Sequence, residues 1–158
     1  MTTMATWKQF TDEEPQLARA VRARLEFTKH HVLATVRAGG APRVSGTEVA
    51  FHGEHLTIGS MLNAVKAKDL QRDPRYALHS NPGDGSMDGG DAKISGRAIE
   101  VPADRIDHYL DRPTDVPGAF HLFLLDIDDV VLAGLNETRT AMQIQLWRPG
   151  QPVRLFTR

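Results

Sequence analysis

The stretch from His31 to Ser60 leaves a chain little freedom in how it folds. It is β-branched and apolar, and it is interrupted twice by turns that permit only a reversal of direction. His31 to Arg37 reads as a strand, and Ala38-Gly39-Gly40 as a turn, since glycine tolerates positive φ. Pro42 to Phe51 reads as a second strand, His52-Gly53-Glu54 as a second turn and His55 to Ser60 as a third strand. Parallel neighbours need a crossover of about a dozen residues or more, so these strands form an antiparallel meander.

The rest of the chain fits the same sheet. Thr11 or Asp12 caps a helix with Pro15 in its first turn, and Leu17, Val21, Leu25 and Thr28 mark one apolar face to about Lys29. Asn63 caps a second helix from Ala64 to about Arg72, which Asp73-Pro74 stops. Tyr76 to Ser80 is a strand, Asn81 to Gly90 a glycine-rich mobile loop, and Ala92 to Val101 another strand. Pro102 to Leu110 is a short helix. Phe120 to Asp126, Val130 to Leu135, Met142 to Trp147 and Val153 to Phe156 read as four closing strands. An antiparallel sheet of this size closes on itself and removes its exposed edges. The fold expected is mainly β (α+β): a split antiparallel β-barrel with flanking short helices, in a single domain over residues 1–158.

Composition narrows the chemistry. There is no cysteine, which removes disulfides, thiolate catalysis and cysteine-based metal sites. Lys plus Arg number 19 against 20 Asp plus Glu, so the cation surplus that non-specific nucleic-acid binding needs is missing. The first ten residues are polar and precede Asp12, Glu13 and Glu14, unlike a signal peptide, and no segment has the run of about 20 apolar residues that spans a membrane. The expectation is a cytoplasmic protein without nucleic-acid or membrane partners. Of the seven histidines, no trio has ligand-like spacing on one element. Asp126, Asp128 and Asp129 lack the glycine and terminal Glu of a calcium loop and read as a charged turn, so no metal is expected. No Gly-x-Ser-x-Gly elbow is present.

One constellation stands out. Arg43 opens the second strand, Ser60 ends the third, and Lys66 lies in the first turn of the helix that follows. A helix start offers unpaired N–H groups, and an Arg fork with a Lys ammonium completes a site for a dianionic phosphate. The alternative is that Arg43 and Lys66 are solvated surface charges.

The segments HVLATVRAGGAPRVSGTEVAFHGEHLTIGS, KAKDLQRDPRYAL and DAKISGRAIE resemble the pyridoxamine 5'-phosphate oxidase-like proteins, FMN-binding split β-barrels, and the actinobacterial-type members in particular. The resemblance covers about residues 20 to 158. It implies that Arg43 binds the FMN phosphate, that Val44 and Ser45 follow along the flavin, and that Gly59 and Ser60 contact the cofactor at the strand end. Where the family often has Ser-Arg-Lys at the helix start, this chain has Ala64-Val65-Lys66, which assigns cofactor contacts to Val65 and Lys66. Asp91 stands where the oxidase has a Gln reaching the flavin ring. Trp147 resembles the Trp beside the isoalloxazine, with a plug for the barrel end as the alternative. Arg154-Leu155-Phe156-Thr157-Arg158 resembles the oxidase's Arg-Leu-His-Asp-Arg ending. This implies substrate contacts at Arg154 and Phe156, and a cofactor contact at Arg158.

The function implied is that of an FMN-dependent oxidoreductase. It moves a hydride or electrons to or from a small-molecule substrate, and it works as a homodimer with the flavin at the interface. No side chain is expected to act as a catalytic acid or base. Three alternatives remain open: a deazaflavin-dependent reductase on the same fold, with Arg22, Arg24 and Lys29 serving a longer cofactor tail; a non-catalytic flavin- or haem-binding protein; and a barrel that has lost cofactor binding, which the replacement at Val65 motivates.

Overall fold

The computed structural model describes residues 4–113 and 118–158. The meander forms as β1 (His31–Val36), β2 (Pro42–Thr47), β3 (Val49–His52) and β4 (His55–Met61). The second strand is therefore not continuous. It breaks at Glu48, so that β2 pairs with β1 and β3 pairs with β4, both antiparallel.

The remaining strands are β5 (Arg75–His79), β6 (Asp91–Glu100), β7 (Phe120–Leu135), β8 (Met142–Trp147) and β9 (Arg154–Thr157). Their order is β2-β1-β5-β6-β7-β4-β3, with β8 on the far half of β7 and β9 on β8. Since β2 and β3 are consecutive in the chain, the two ends of this path are joined covalently at Glu48. The sheet is thus a split barrel, largely antiparallel, with a two-stranded extension.

The Asp126–Asp129 segment is not a turn. Phe120 to Leu135 is one strand, and the expected pair of strands is merged into it. Its register with β6 shifts between Ser95↔Asp129 and Gly96↔Ile127, so Asp128 is the extra residue of a β-bulge. Gly96 permits this, because a Cβ there would collide with the Asp126 carbonyl oxygen. Ile127 is fully buried, which explains why polar turn chemistry loses to packing at this point.

Two helices precede the barrel. The first, α1 (Trp7–Glu13), was not expected; α2 (Pro15–Phe27) starts at the expected proline and ends two residues earlier than read. Thr6 caps α1, its Oγ1 accepting from the Gln9 N–H at 3.1 Å. Helix α1 drives Trp7 and Phe10 into the barrel end, where Trp7 meets Phe51 and Phe10 meets Trp147, with ring centroids 4.8 and 4.6 Å apart. These rings join one apolar core with Leu25, Leu33, Leu56, Ile58, Leu78, Ile94, Phe123 and Leu125. No described helix is long and apolar enough to cross a membrane.

Helix α3 (Val65–Arg72) lies between β4 and β5. Asn63 does not cap it. Asn63 takes a left-handed φ of 61°, and Ala64 occupies the cap position with no side-chain hydrogen bond. Asp73 ends the helix, as Pro74 requires. Ala103–His108 is a 3₁₀ segment.

Candidate functional site

Strand alternation puts Arg43 and Ser45 on one face of β2, and register places Arg43 opposite Thr35 of β1. Both side chains reach Asp69 on α3. Asp69 Oδ2 accepts from Thr35 Oγ1 at 2.7 Å and from Arg43 Nε at 2.7 Å, while Oδ1 accepts from Arg72 Nη2 at 3.0 Å. Asp69 is buried. Burial pushes its pKa up, but the three hydrogen bonds and the Arg43 charge outweigh this and hold it below the ordinary value. The carboxylate is therefore charged and fixes Arg43 by one edge of its guanidinium. Nη1 and Nη2 of Arg43 have no hydrogen-bond partner among the described residues, and the side chain keeps 27% of its surface exposed.

Arg43 lines a cavity of about 1190 Å³. Its walls are β2, β3, the end of β4, the start of α3 and the entry to β7. Arg43, Val44, Ser45, Gly59, Ser60, Val65 and Lys66 all line it. Lys66 Nζ donates to the Gly46 carbonyl at 2.9 Å. Burial lowers the Lys66 pKa, against the opposing pull of the Glu48 carboxylate. The first turn of α3 has no side-chain cap, so its N–H groups are open at the same end of the cavity. Ser60 is buried, its Oγ only 3.4 Å from the Met61 carbonyl oxygen. Val44, Met61, Leu62 and Val65 present an exposed apolar rim. Arg fork, ammonium, hydroxyl and helix N–H groups form a donor set suited to a phosphate, and the apolar walls suit a ring system.

The other residues singled out from the sequence lie elsewhere in the chain. Asp91 opens β6 opposite Ala133. Trp147 is fully buried against Phe10, and its Nε1 has no partner. Arg154 and Arg158 stack over the Phe156 ring at 5.1 and 5.6 Å on β9. None of these five lines the cavity within one chain. Sequence reasoning passed over Asp69, which holds Arg43, Thr35, which donates to Asp69, and Glu48 and His52, which also line the cavity.

The fold is thus a split barrel with a donor-lined cavity between its bent strand and α3. Residues 17–132 match the family model for pyridoxamine 5'-phosphate oxidase, and the chain belongs to that family. Among solved structures, it resembles PhzG from Burkholderia lata 383 in complex with tetrahydrophenazine-1-carboxylic acid, at 15% identity over 94% of this chain and 91% of that one, with a TM-score of 0.65. It also resembles a pyridoxamine 5'-phosphate oxidase-related, FMN binding protein from Nostoc punctiforme PCC 73102, at 14% identity over 92% and 95%, with a TM-score of 0.63. A heme binding protein from Mycobacterium smegmatis shares 16% identity over 87% of this chain and 56% of that one, with a TM-score of 0.55. At these identities the likeness is one of fold. No match is found among curated proteins.

Proposed function

We propose that the chain, as one domain over residues 1–158, binds FMN in this cavity and works as a homodimeric oxidoreductase on a small-molecule substrate. The observation that carries the reading is Arg43, clamped through Nε by buried Asp69 with both terminal amino groups unbonded among the described residues, in a cavity that Lys66 and the start of α3 also line. Arg43 and Lys66 would hold the phosphate, with Ser60 and the α3 N–H groups completing its shell. Val44, Ser45, Gly59 and Val65 would form the wall along the flavin. Once bound, the flavin supplies hydride or electron transfer, and the protein binds and orients it. Asp91, Arg154, Phe156 and Arg158 enter this reading through the dimer. We assign them to the partner's cavity and leave out Trp147, whose ring is fully buried against Phe10 in its own chain; the apolar rim of Val44, Met61, Leu62 and Val65 is the surface a second copy would cover.

Titration of the cofactor-free protein with FMN, followed by fluorescence quenching, tests the reading. Micromolar or tighter binding is expected, weakened by about 1.5–3 kcal/mol in Lys66→Ala, the range of a charge-assisted hydrogen bond. A folded protein that binds no FMN overturns it. Binding of a deazaflavin coenzyme in its place selects the alternative cofactor.

A further inference from the structure

The cavity is larger than the roughly 300–1,000 Å³ of an ordinary small-molecule site. It therefore has room beside the cofactor, and its charges are unevenly placed. Arg43 lies at one end of the bent strand. Glu48 lies at the break, five residues further on, which is about 16 Å of extended chain. Glu48 is the one carboxylate among the described residues that line the cavity. Val49, Ala50, Leu110, Phe120 and Leu122 make much of the remaining wall apolar, with His52 and Thr57 beside them.

Little compensates that carboxylate. Its nearest ammonium is Lys29 Nζ at 3.7 Å, and the two side chains are 74% and 54% exposed, so water screens the pair. His30 Nδ1, at 3.9 Å, counts only when protonated. Lys66 feels Glu48 as well, but its ammonium donates to the Gly46 carbonyl.

We infer that Glu48 selects the second ligand of the cavity by charge: a molecule with an apolar body and a protonated amine or amidine head is admitted beside the flavin, and a carboxylate or phosphate is turned away. The inference rests on the FMN reading above. The competing role for Glu48 is only to neutralise Lys29 at the surface.

Benzamidine and benzoate are planar, nearly isosteric and opposite in charge. Each is titrated into the FMN-loaded protein, with binding read by calorimetry and by the perturbation of flavin absorbance. The wild-type protein is expected to bind benzamidine more tightly. Glu48→Gln should cut the preference about tenfold, the scale of one partly screened charge pair, and Glu48→Lys should reverse it. Lys29→Ala should leave the preference intact or raise it. Absence of benzamidine binding, tighter binding of benzoate by the wild-type protein, or a preference unchanged in Glu48→Gln overturns the inference while FMN binding still stands. Failure of the wild-type protein to take up FMN overturns the cofactor reading, and this inference with it.

Discussion

Arg43 Nε and Asp69 Oδ2 lie 2.7 Å apart, and this pair ties the cavity wall to the interior. It makes Arg43 and Lys66 unequal, though both line the cavity. Removing Arg43 leaves a buried carboxylate with one partner fewer, whereas Lys66 is bonded only to a backbone carbonyl among the described residues. Arg43→Ala and Asp69→Asn are each expected to lower stability by about 1–3 kcal/mol, and Lys66→Ala by less than about 1 kcal/mol. Urea unfolding of the cofactor-free variants checks this. Equal losses for Arg43→Ala and Lys66→Ala would show that Asp69 does not depend on Arg43.

His31 sets an acid limit on stability. The buried ring donates from Nε2 to the Leu25 carbonyl at 2.8 Å and accepts the Asn81 N–H at Nδ1 at 3.0 Å, so the neutral form is the one that fits. Burial pushes its pKa down, against the pull of the backbone carbonyls, and the Arg24 and His30 charges add to the lowering. Below the ordinary value of 6.5 the unfolded chain takes a proton that the folded chain refuses. Stability therefore rises with pH up to that point and falls as pH drops beneath it, by up to about 1.4 kcal/mol per pH unit until the folded-state pKa is reached. In His31→Gln the slope of the urea midpoint against pH should flatten in this window. An unchanged slope would assign the acid sensitivity to other groups.

Gly96 tolerates no side chain. A Cβ there meets the Asp126 carbonyl oxygen and, at 3.0 Å, the Asp128 amide nitrogen, both of them backbone atoms of the bulge. Gly96→Ala should cost about 3 kcal/mol or more, beyond the usual range for a surface strand, because backbone has to move. Thermal unfolding of this variant beside Gly46→Ala, where the space is open, isolates the effect.

The Asn81–Gly90 loop, read from its glycines as mobile, is held by two arginines. Arg24 donates to the Asp88 and Asn81 carbonyls at 3.0 and 3.2 Å, and Arg139 to the Ser86 carbonyl and the Asp88 carboxylate at 2.9 and 3.2 Å. Limited proteolysis should cut this loop faster in Arg24→Ala and in Arg139→Ala than in the parent. Equal cutting rates would mean that the tethers do not restrain it.

The strands were legible because alternation and short turns are local signals, and β8 was read to the residue. Helix α1 carried a signal as well: Thr6 and Gln9 have the spacing of a capping box, with apolar Trp7 and Phe10 behind it. Seven residues are too few to display a helical period, and it is burial of the two rings that holds the segment. The break at Glu48 carries no turn chemistry, since β-branched residues flank it; it follows from pairing with two different neighbours. The phosphate end of the cavity was legible because strand end and helix start are adjacent in sequence. Asp69 was not, because a buried carboxylate is recognised by the partners that β1 and β2 bring to it.

The strand interrupted at Glu48 also orders assembly. The β1–β2 and β3–β4 hairpins close over short loops, whereas the seam between β4 and β7 joins Met61 to Phe120 across a long intervening chain. Loop-closure entropy puts that seam last. Met61 and Phe120 both line the cavity. The wall that Phe120 and Leu122 give the binding chamber therefore arrives only when the ring is complete.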